Sequence, residues 1–542
     1  MKKYIAVLFL SIFALYSCEN VLDFSPTNQY NEFTVWKSKE NMKLYMNSFY
    51  VVASTYGQFG DKAFGSSHHS TDGLTYMLKY SSSITGNGTP NVVAMTPDII
   101  SADQNALGFW ANAYTQIRRI NEFLVDVDAK ATVLNDAEKL EFKAEARFLR
   151  AWWYFLLVRS HGSVIIYDDL GDWKNSAKAR SSETDCWDYV EKELNFCGEN
   201  LPAVRPSSDF GRPTKGAAYG LMTRAMLYAK RYDAVVGAFE KMAGLGYDLE
   251  GDYAKLFKLK AGQSSVESIF QVDYVKGAVV HKFDSRFAPS GDIADQGGLA
   301  GPTQEMVDAY EMADGSAFDW NNPVHAANPY ANREPRFYKS VLYNGAPWKG
   351  RVIETFVGGA DGYKDYNSTG DPKTTVTGYY VRKMLDESNN TFNLDNSYQS
   401  FIAIRYAEVL LNYAEALIQN DKVAFGISQL NNVRSRAGLS GRDENVGKDQ
   451  AMAFVRHERL IELAFEGFHY WDLRRWKLSV EQLNGKRFHG MKITKAAGGS
   501  YNYEIVPCDD RDRVFPEKYY TAPIPTSEIS NNPLCTQLDE WK

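Results

Sequence analysis

Cysteine is scarce in this sequence, at 5 of 542 residues, and the cysteines are far apart. No CxxC pair occurs, and no cysteine and histidine cluster has the spacing of a zinc finger, which argues against a structural zinc site. Cys186 and Cys197 are expected on one helix, where a rise of roughly 16 Å would separate them beyond disulfide reach. Pairing of Cys508 with Cys535 stays open.

The sequence also lacks a long apolar run and a block of like charge. Beyond the amino terminus, the longest apolar run covers residues 151–158, whereas a transmembrane helix needs about 20 apolar residues. The formal net charge is −7, and nucleic acids and anionic lipids are bound by clustered lysine and arginine. We therefore expect no nucleic-acid partner and no transmembrane helix in the mature chain.

Motifs of common enzymes are missing. The sequence contains no GxSxG nucleophile elbow, no Walker loop and no GxGxxG dinucleotide motif. His457 and Glu458 begin like the HExxH zinc motif, but Ile461 stands where the second histidine would be. Carboxylates such as Asp72 and Asp361 could form a glycosidase pair, but their spacing in sequence gives no rule for this. We expect no catalytic residues, no cofactor and no bound metal.

The amino terminus has the composition of an export signal. Lys2 and Lys3 precede an apolar stretch at residues 4–16, which is too short to span a bilayer and ends at Ser17 and Cys18. Residues 15–18 are similar to a lipobox, the site at which a bacterial cysteine is diacylated. We expect residues 1–17 to be a signal peptide and Cys18 to carry a lipid anchor that tethers the chain to a membrane. A freely secreted protein is the alternative.

Apolar residues recur at helical spacing in two parts of the chain. Residues 138–160 form an amphipathic stripe that stops at Gly162. Residues 217–244 and 407–438 each contain a helix, a short polar break and a second helix, which resembles the tetratricopeptide hairpin of about 34 residues. The fold class is therefore predicted to be mainly α, with tetratricopeptide-like helical hairpins as its scaffold.

The helical scaffold is predicted over approximately residues 40–245 and 400–480. Between them, residues 246–400 are rich in glycine, proline, asparagine and aromatic residues, with short β segments such as residues 268–274. This loop-rich irregular region, together with the loops at residues 55–100, is expected to hold the binding site, because binding residues are concentrated on loops that a rigid scaffold positions.

Aromatic residues make up 14% of the chain, with 34 Tyr and 11 Trp, and their rings can fill a core or stack on sugars and partner side chains. Rings outside the helical stripes are the better ligand candidates. Among them we expect Trp320, Trp348, Tyr330 and Tyr76 to contact a ligand. Asp72 and Arg286 are the expected polar partners. Loop packing is the alternative for each.

Several blocks of the sequence resemble the SusD-like (RagB/SusD) family. They include residues 405–416 (RYAEVLLNYAEA), 432–439 (NVRSRAGL), 462–467 (ELAFEG), 470–476 (YWDLRRW) and 523–525 (PIP). The resemblance runs from Cys18 to the last residues. Glu458, Arg459, Glu462 and Glu466 lie at helical spacing within these blocks, which predicts a structural ion-pair network.

The resemblance implies an outer-membrane, cell-surface lipoprotein of the Bacteroidetes type, with residues 18–542 as one domain built on four tetratricopeptide-like hairpins. It further implies a lid on a SusC-like TonB-dependent transporter barrel, with hinged opening that delivers an oligosaccharide for uptake. Family members are not themselves catalysts. A peptide ligand for the same lid is an alternative, and a glycoside hydrolase is a weaker one. Ligand-contacting loops vary in the family, so the resemblance assigns no individual binding residue.

Overall fold

A computed structural model describes residues 32–57, 59, 64–65, 71–81, 100–103, 105, 107–171, 177–293, 297–366, 374–392, 394–509 and 511–542. The predicted signal peptide and Cys18 lie outside these residues. Within the described ranges, no helix combines the length and apolar character needed to cross a membrane.

Helices form most of the regular structure, as the sequence predicted. They are α1 (Glu32–Val35), α2 (Lys39–Asn47), α3 (Val51–Ser54), α4 (Trp110–Lys130), α5 (Asp136–His161), α6 (Glu183–Asn200), α7 (Lys215–Tyr228), α8 (Tyr232–Glu240), α9 (Phe283–Phe287), α10 (Gln304–Ala309), α11 (Pro323–Ala327), α12 (Pro335–Ser340), α13 (Tyr406–Gln419), α14 (Val423–Arg436), α15 (Lys448–Glu462), α16 (His469–Arg475), α17 (Ser479–Leu483) and α18 (Thr526–Asn531).

Strands are short and pair antiparallel in twos across the described residues. They are β1 (Leu78–Tyr80), β2 (Ser268–Val272), β3 (Ala300–Pro302), β4 (Val341–Leu342), β5 (Pro347–Trp348), β6 (Arg351–Val352), β7 (Tyr380–Val381), β8 (Phe401–Arg405), β9 (His489–Lys495) and β10 (Tyr501–Pro507). The pairs are β1 with β3, β2 with β8, β4 with β7, β5 with β6 and β9 with β10. The predicted mainly α fold with short β segments is confirmed.

The long helices contact one another in chain order from α4 to α8, and α8 then contacts α13, which contacts α14 and α15. Helices from both sides of the loop-rich region therefore form one continuous layer. The predicted hairpins at residues 217–244 and 407–438 correspond to α7–α8 and α13–α14. Gly426 allows the close approach within the second hairpin, because a Cβ there would lie 2.7 Å from the carbonyl oxygen of Ala414.

Local capping explains where α5 begins and ends. Asn135 and Glu138 form a capping box at its start, in which each side chain accepts a hydrogen bond from the other residue's backbone N–H. Gly162 ends the helix with φ of 72°, a conformation that residues with a side chain rarely adopt. The predicted glycine stop is confirmed.

The pairing of β2 with β8 brings the two ends of the loop-rich region together. In this pair Ser268 lies opposite Arg405 and Val272 lies opposite Phe401, and α13 follows β8 directly. The strand pair therefore connects the helical layer to the loop-rich region. The pairing of β1 with β3 fixes the segment around Leu78 to the same loop-rich region.

A buried ion network joins the loop-rich region to the helices, as predicted. At its centre, Glu462 accepts hydrogen bonds from Arg405 (2.7 Å), Arg336 (2.9 Å) and Arg436. Burial raises the pKa of Glu462, but the three guanidinium groups outweigh burial and hold its pKa well below the usual range. Glu466 accepts from Arg405 at 2.7 and 2.8 Å.

The same network extends to both sides of Glu462. Arg336 also donates to Glu458 at 2.6 Å, and Arg434 donates to Glu458 at 3.1 Å. Arg459 of α15 donates to Asp472 of α16 at 2.9 and 3.1 Å. These contacts fix α12, β8, α14 and α16 around α15, so the loops that carry the candidate site are held to the scaffold.

All four described cysteines are free and buried. Cys186 and Cys197 lie on α6, as predicted. Cys508 and Cys535 do not form a disulfide, which answers the question that the sequence left open.

Candidate ligand-binding site

Trp320 lies in the loop between α10 and α11, and its ring is only partly buried. The indole Nε1 donates to both carboxylate oxygens of Asp308, at 3.2 and 3.1 Å. Phe318 contacts the ring edge-on, with centroids 5.1 Å apart. The ring is therefore held in place by a polar contact on α10 and an apolar neighbour while part of it remains accessible.

A chain of hydrogen bonds leads from Trp320 to Tyr330. Gln304 Nε2 donates to Asp308 at 2.7 Å, and the Tyr379 hydroxyl donates to Gln304 Oε1 at 2.8 Å. The hydroxyls of Tyr379 and Tyr330 are 3.3 Å apart. We call the residues Trp320, Asp308, Gln304, Tyr379 and Tyr330 the aromatic network. Two of the predicted ligand residues are thus brought into one arrangement.

Partly exposed tyrosines surround the Tyr330 end of the aromatic network. The ring of Tyr330 lies 4.7 Å from that of Tyr343 and 5.9 Å from that of Tyr503. The Tyr338 hydroxyl donates to the backbone carbonyl of Tyr330 at 2.8 Å. Tyr503 belongs to β10, so the carboxy-terminal hairpin contributes to a surface formed mainly by the loop-rich region.

Burial and local charge set the electrostatics of the aromatic network. Burial raises the pKa of Asp308 to about 6, although hydrogen bonds from Gln304 and Trp320 oppose this change. Arg333 lies over the Phe318 ring at 4.3 Å and donates to the carbonyls of Pro329 (2.9 Å) and Tyr310 (2.8 Å). The network therefore combines the partly exposed ring of Trp320 with the buried rings of Tyr330, which is 7% exposed, and Tyr379, and with hydrogen-bonding groups whose positions are fixed.

Tyr76 is linked to the aromatic network through the start of α10. Its backbone carbonyl accepts a hydrogen bond from Thr303, the residue whose side chain caps the start of α10. The Tyr76 ring is partly buried and meets His469 edge-on at 4.7 Å and Phe488 at 5.9 Å. Burial raises the pKa of its hydroxyl. Tyr76 therefore lies next to the helix that carries Asp308.

The other predicted ligand residues occupy different surroundings. Trp348 is 1% exposed, and its Nε1 donates to Asp292 at 2.5 Å. Asp72 is fully buried and accepts from the backbone N–H of Gly467 at 3.0 Å. Arg286 lies on α9 and pairs with Asp395 at 3.6 Å. In this conformation Trp348 and Asp72 fill the interior, so their contact with a ligand would require movement of the surrounding loops.

The carboxylates considered for a hydrolytic pair are occupied by other groups. Asp361 is fully buried and accepts from Arg351 at 2.7 and 2.8 Å and from the backbone N–H of Gly291 at 3.0 Å. Asp72 is equally inaccessible. Among the residues that the structure describes, no group of three or more histidine, cysteine, aspartate or glutamate side chains is arranged to hold a metal ion.

Sequence reasoning missed Asp308, Gln304, Tyr379, Tyr343 and Tyr503. The tyrosines of β10 had a usable signal, because Tyr501 and Tyr503 alternate beside the Gly498–Gly499 pair. Gln304 and Tyr379 gave no signal in the sequence, since their hydrogen bond joins residues that are 75 positions apart in the chain.

Comparisons with known proteins cover nearly the whole chain. Residues 266–541 match the family model described as SusD family, and residues 21–227 match a model described as "Starch-binding associating with outer membrane". A SusD-like protein from Bacteroides ovatus is 24% identical over 484 residues, which cover 82% of each chain.

Two solved structures from Bacteroides fragilis are also similar. The structure of a SusD-like protein has a TM-score of 0.79 and 27% identity, and the match covers 94% of this chain and 98% of that one. The structure of a SusD-like carbohydrate-binding protein has a TM-score of 0.77 and 26% identity, with 92% and 99% covered.

Proposed function

The chain belongs to the SusD family, and from this membership we propose that it binds a glycan at the outer membrane through the aromatic network. The family-model description of the amino-terminal part and the carbohydrate-binding relative from Bacteroides fragilis support the ligand class. The observation that carries the proposal is the partly exposed Trp320 ring, whose Nε1 is held by Asp308 at 3.1 and 3.2 Å.

The chemistry of the aromatic network suits a sugar. The C–H groups of a pyranose face are apolar and pack on an indole or phenol ring, whereas its hydroxyls need acceptors and donors nearby. Trp320 supplies a partly exposed ring at one end of the network, and Tyr343 supplies a partly exposed ring beside Tyr330 at the other end. Asp308 supplies acceptor oxygens between them. A site of this kind orders its groups before the ligand arrives, which lowers the entropic cost of binding.

We further propose that the protein is anchored by lipid on Cys18 and acts as the lid of a SusC-like TonB-dependent transporter barrel. Family membership and the lipobox-like residues 15–18 support this. In this role the chain captures an oligosaccharide and delivers it without cleaving it. The ion pair of Asp361 with Arg351 removes one of the carboxylates that the sequence offered for a glycosidase pair, which needs two available carboxyl groups.

A binding experiment tests the glycan proposal directly. Purified protein would be screened against plant and host polysaccharides on a glycan array, and a positive ligand would be titrated by calorimetry. Trp320→Ala should weaken that ligand by about thirtyfold or more, because truncation of a central aromatic anchor costs about 2 kcal/mol or more.

Trp541→Ala is the matched control, since Trp541 is also partly buried and donates its Nε1 hydrogen bond, to Thr521 at 3.1 Å. This variant should keep the affinity of the wild type. The proposal fails if the correctly folded protein binds no glycan in the screen, or if Trp320→Ala and Trp541→Ala bind the ligand equally well.

A further inference from the structure

A cleft of about 460 Å³ lies on the helical side of the molecule, away from the residues of the aromatic network. The carboxy-terminal end of α5, the start of α6, the end of α7 and the end of α16 all contribute to its walls. Tyr228 provides partly exposed aromatic surface, whereas Trp187 and Trp471 are 5% and 2% exposed. Arg159 and Arg474 are among the cations that line it.

Arg159 and Arg474 are buried without a carboxylate partner. They are 9% and 7% exposed, and neither forms an ion pair with any described residue. Arg159 donates to the carbonyl of Gly57 at 2.9 Å, and Arg474 donates to that of Tyr520 at 2.8 Å. Their buried Nε atoms have no hydrogen-bond partner in the described part of the chain.

This arrangement differs from that of other buried arginines in the protein. Arg336 and Arg405 each contact at least two carboxylates, as a guanidinium group removed from water requires. The carbonyls that Arg159 and Arg474 contact supply partial charge but no formal negative charge. Both guanidinium groups also lie over the ring of Trp471, at 3.6 and 4.9 Å. Burial lowers the pKa of Arg159 to about 9 and lowers that of Arg474 as well, so two positive charges here lack a carboxylate.

The rim of the cleft adds further positive charge. Lys230 and Lys477 are exposed at its edge, and no described carboxylate forms an ion pair with either. Lys477 lies over the ring of Tyr520 at 4.1 Å. Glu183 is the carboxylate that lines the cleft, and it accepts from Trp187 Nε1 at 3.2 Å. The other lining arginines are neutralised by their own carboxylates.

We propose that this cleft binds an acidic sugar residue, in which a carboxylate or sulfate group lies between Arg159 and Arg474 and the sugar ring packs against Tyr228. Guanidinium groups bind oxyanions through paired N–H donors, and both guanidinium groups line the cleft without a carboxylate of their own. The volume fits a small ligand rather than a folded partner. The claim that the cleft binds an oxyanion rests on the two arginines alone. The claim that this oxyanion belongs to a sugar rests on the proposed glycan binding.

The test uses the purified full chain and titrations at constant ionic strength. Sodium glucuronate, glucose 6-sulfate, inorganic sulfate and glucose would be the four probes, with binding followed by calorimetry. We expect glucuronate or glucose 6-sulfate to bind at least about tenfold more tightly than glucose, in line with the strength of charge-assisted hydrogen bonds. The two anionic sugars separate a carboxylate-specific from a sulfate-specific cleft.

Variants locate the binding in the cleft. Arg474→Met should weaken the anionic sugar by about thirtyfold or more, because it removes one of two buried charges. The double variant Lys230→Gln with Lys477→Gln changes only exposed side chains and should weaken it by about two- to fivefold. Arg487→Gln is the control, since Arg487 is exposed and paired with Asp512, and it should bind like the wild type.

Three results would overturn the inference. Anionic sugars that bind no better than glucose would exclude an anion site, and unchanged affinity in correctly folded Arg474→Met would place the binding elsewhere. Equal affinity for inorganic sulfate and glucose 6-sulfate would show that the sugar ring contributes nothing to binding. Failure of the cleft leaves glycan binding at Trp320 intact, because that binding is tested by comparing Trp320→Ala with Trp541→Ala.

Discussion

Replacing Glu462 by glutamine removes one negative charge from the centre of the buried ion network and keeps the size of the side chain. The carboxylate accepts from Arg405 at 2.7 Å, from Arg336 at 2.9 Å and from Arg436. A glutamine retains one acceptor oxygen, but its NH2 group would face a guanidinium group. The change therefore introduces donor-to-donor repulsion in a region that water does not reach.

The expected loss of unfolding free energy follows from these partners. Breaking a buried ion pair costs about 3–5 kcal/mol. The three arginines keep other carboxylates: Arg405 retains Glu466, Arg336 retains Glu458, and Arg436 retains Glu267. We therefore expect a loss near the lower limit, about 3 kcal/mol, which is a large part of the 5–15 kcal/mol typical of folded proteins.

Urea denaturation followed by tryptophan fluorescence measures this loss. Glu122→Gln is the control, because Glu122 pairs with Arg118 at 2.9 Å on an exposed helix surface and should lose less than about 1 kcal/mol. The folded-state pKa of Glu462 is depressed, so its contribution is fully present above the unfolded-state pKa. The difference from wild type should stay constant from neutral pH down to that value and shrink only in stronger acid. A loss no larger than that of Glu122→Gln would refute the reasoning.

Three further predictions concern other parts of the chain. Cys18→Ala should release the protein from the membrane fraction with unchanged ligand affinity, whereas retention at the surface would mean that a partner holds it. Burial raises the pKa of Asp308 to about 6, so wild type gains stability relative to Asp308→Asn as pH falls from 7 to 4. That gain should be on the order of 2 kcal/mol in urea denaturation, and a pH-independent difference would contradict it. In the Cys18→Ala chain, a thiol reagent should label no cysteine in the native state and all four after denaturation, since burial raises the thiol pKa of Cys186 and Cys535 to about 11; fewer than four labels would indicate a disulfide.

The sequence predicts the helical layer well because the signal for a helix is local. The stripe at residues 138–160 and the stop at Gly162 define α5 almost to the residue. The hairpin of β9 and β10 escapes prediction because β10 has no buried face: its residues alternate between exposed and partly buried. The alternation of Tyr501 and Tyr503 beside the glycine pair at the turn is therefore the remaining sign of this strand.

The candidate site is less predictable, because loop sequences carry no burial signal. Trp348 and Trp320 both lie in segments without helical periodicity, yet Trp348 is 1% exposed and Trp320 is partly accessible. The difference arises from distant neighbours, since Asp292 accepts the Trp348 N–H across 56 positions of sequence. The contact between Gln304 and Tyr379 is equally non-local. The type of aromatic residue and its sequence context can identify candidate ligand residues, but their exposure to solvent depends on the folded structure.

The ion network around Glu462 also bears on the order in which the chain can fold. Its hydrogen bonds join Glu462 to Arg336 and Arg405, which lie 126 and 57 positions earlier. Contacts this distant must close long loops before they stabilise anything, so they form late, after the local helices. A chain truncated before Glu458 would keep the arginines of α12, β8 and α14 without their central carboxylates. In such a fragment Arg336 would keep Glu334, and Arg405 and Arg436 would share Glu267. The junction between the helices and the ligand-binding loops would then carry excess positive charge, and we expect proteases to remove the fragment before it could compete for ligand.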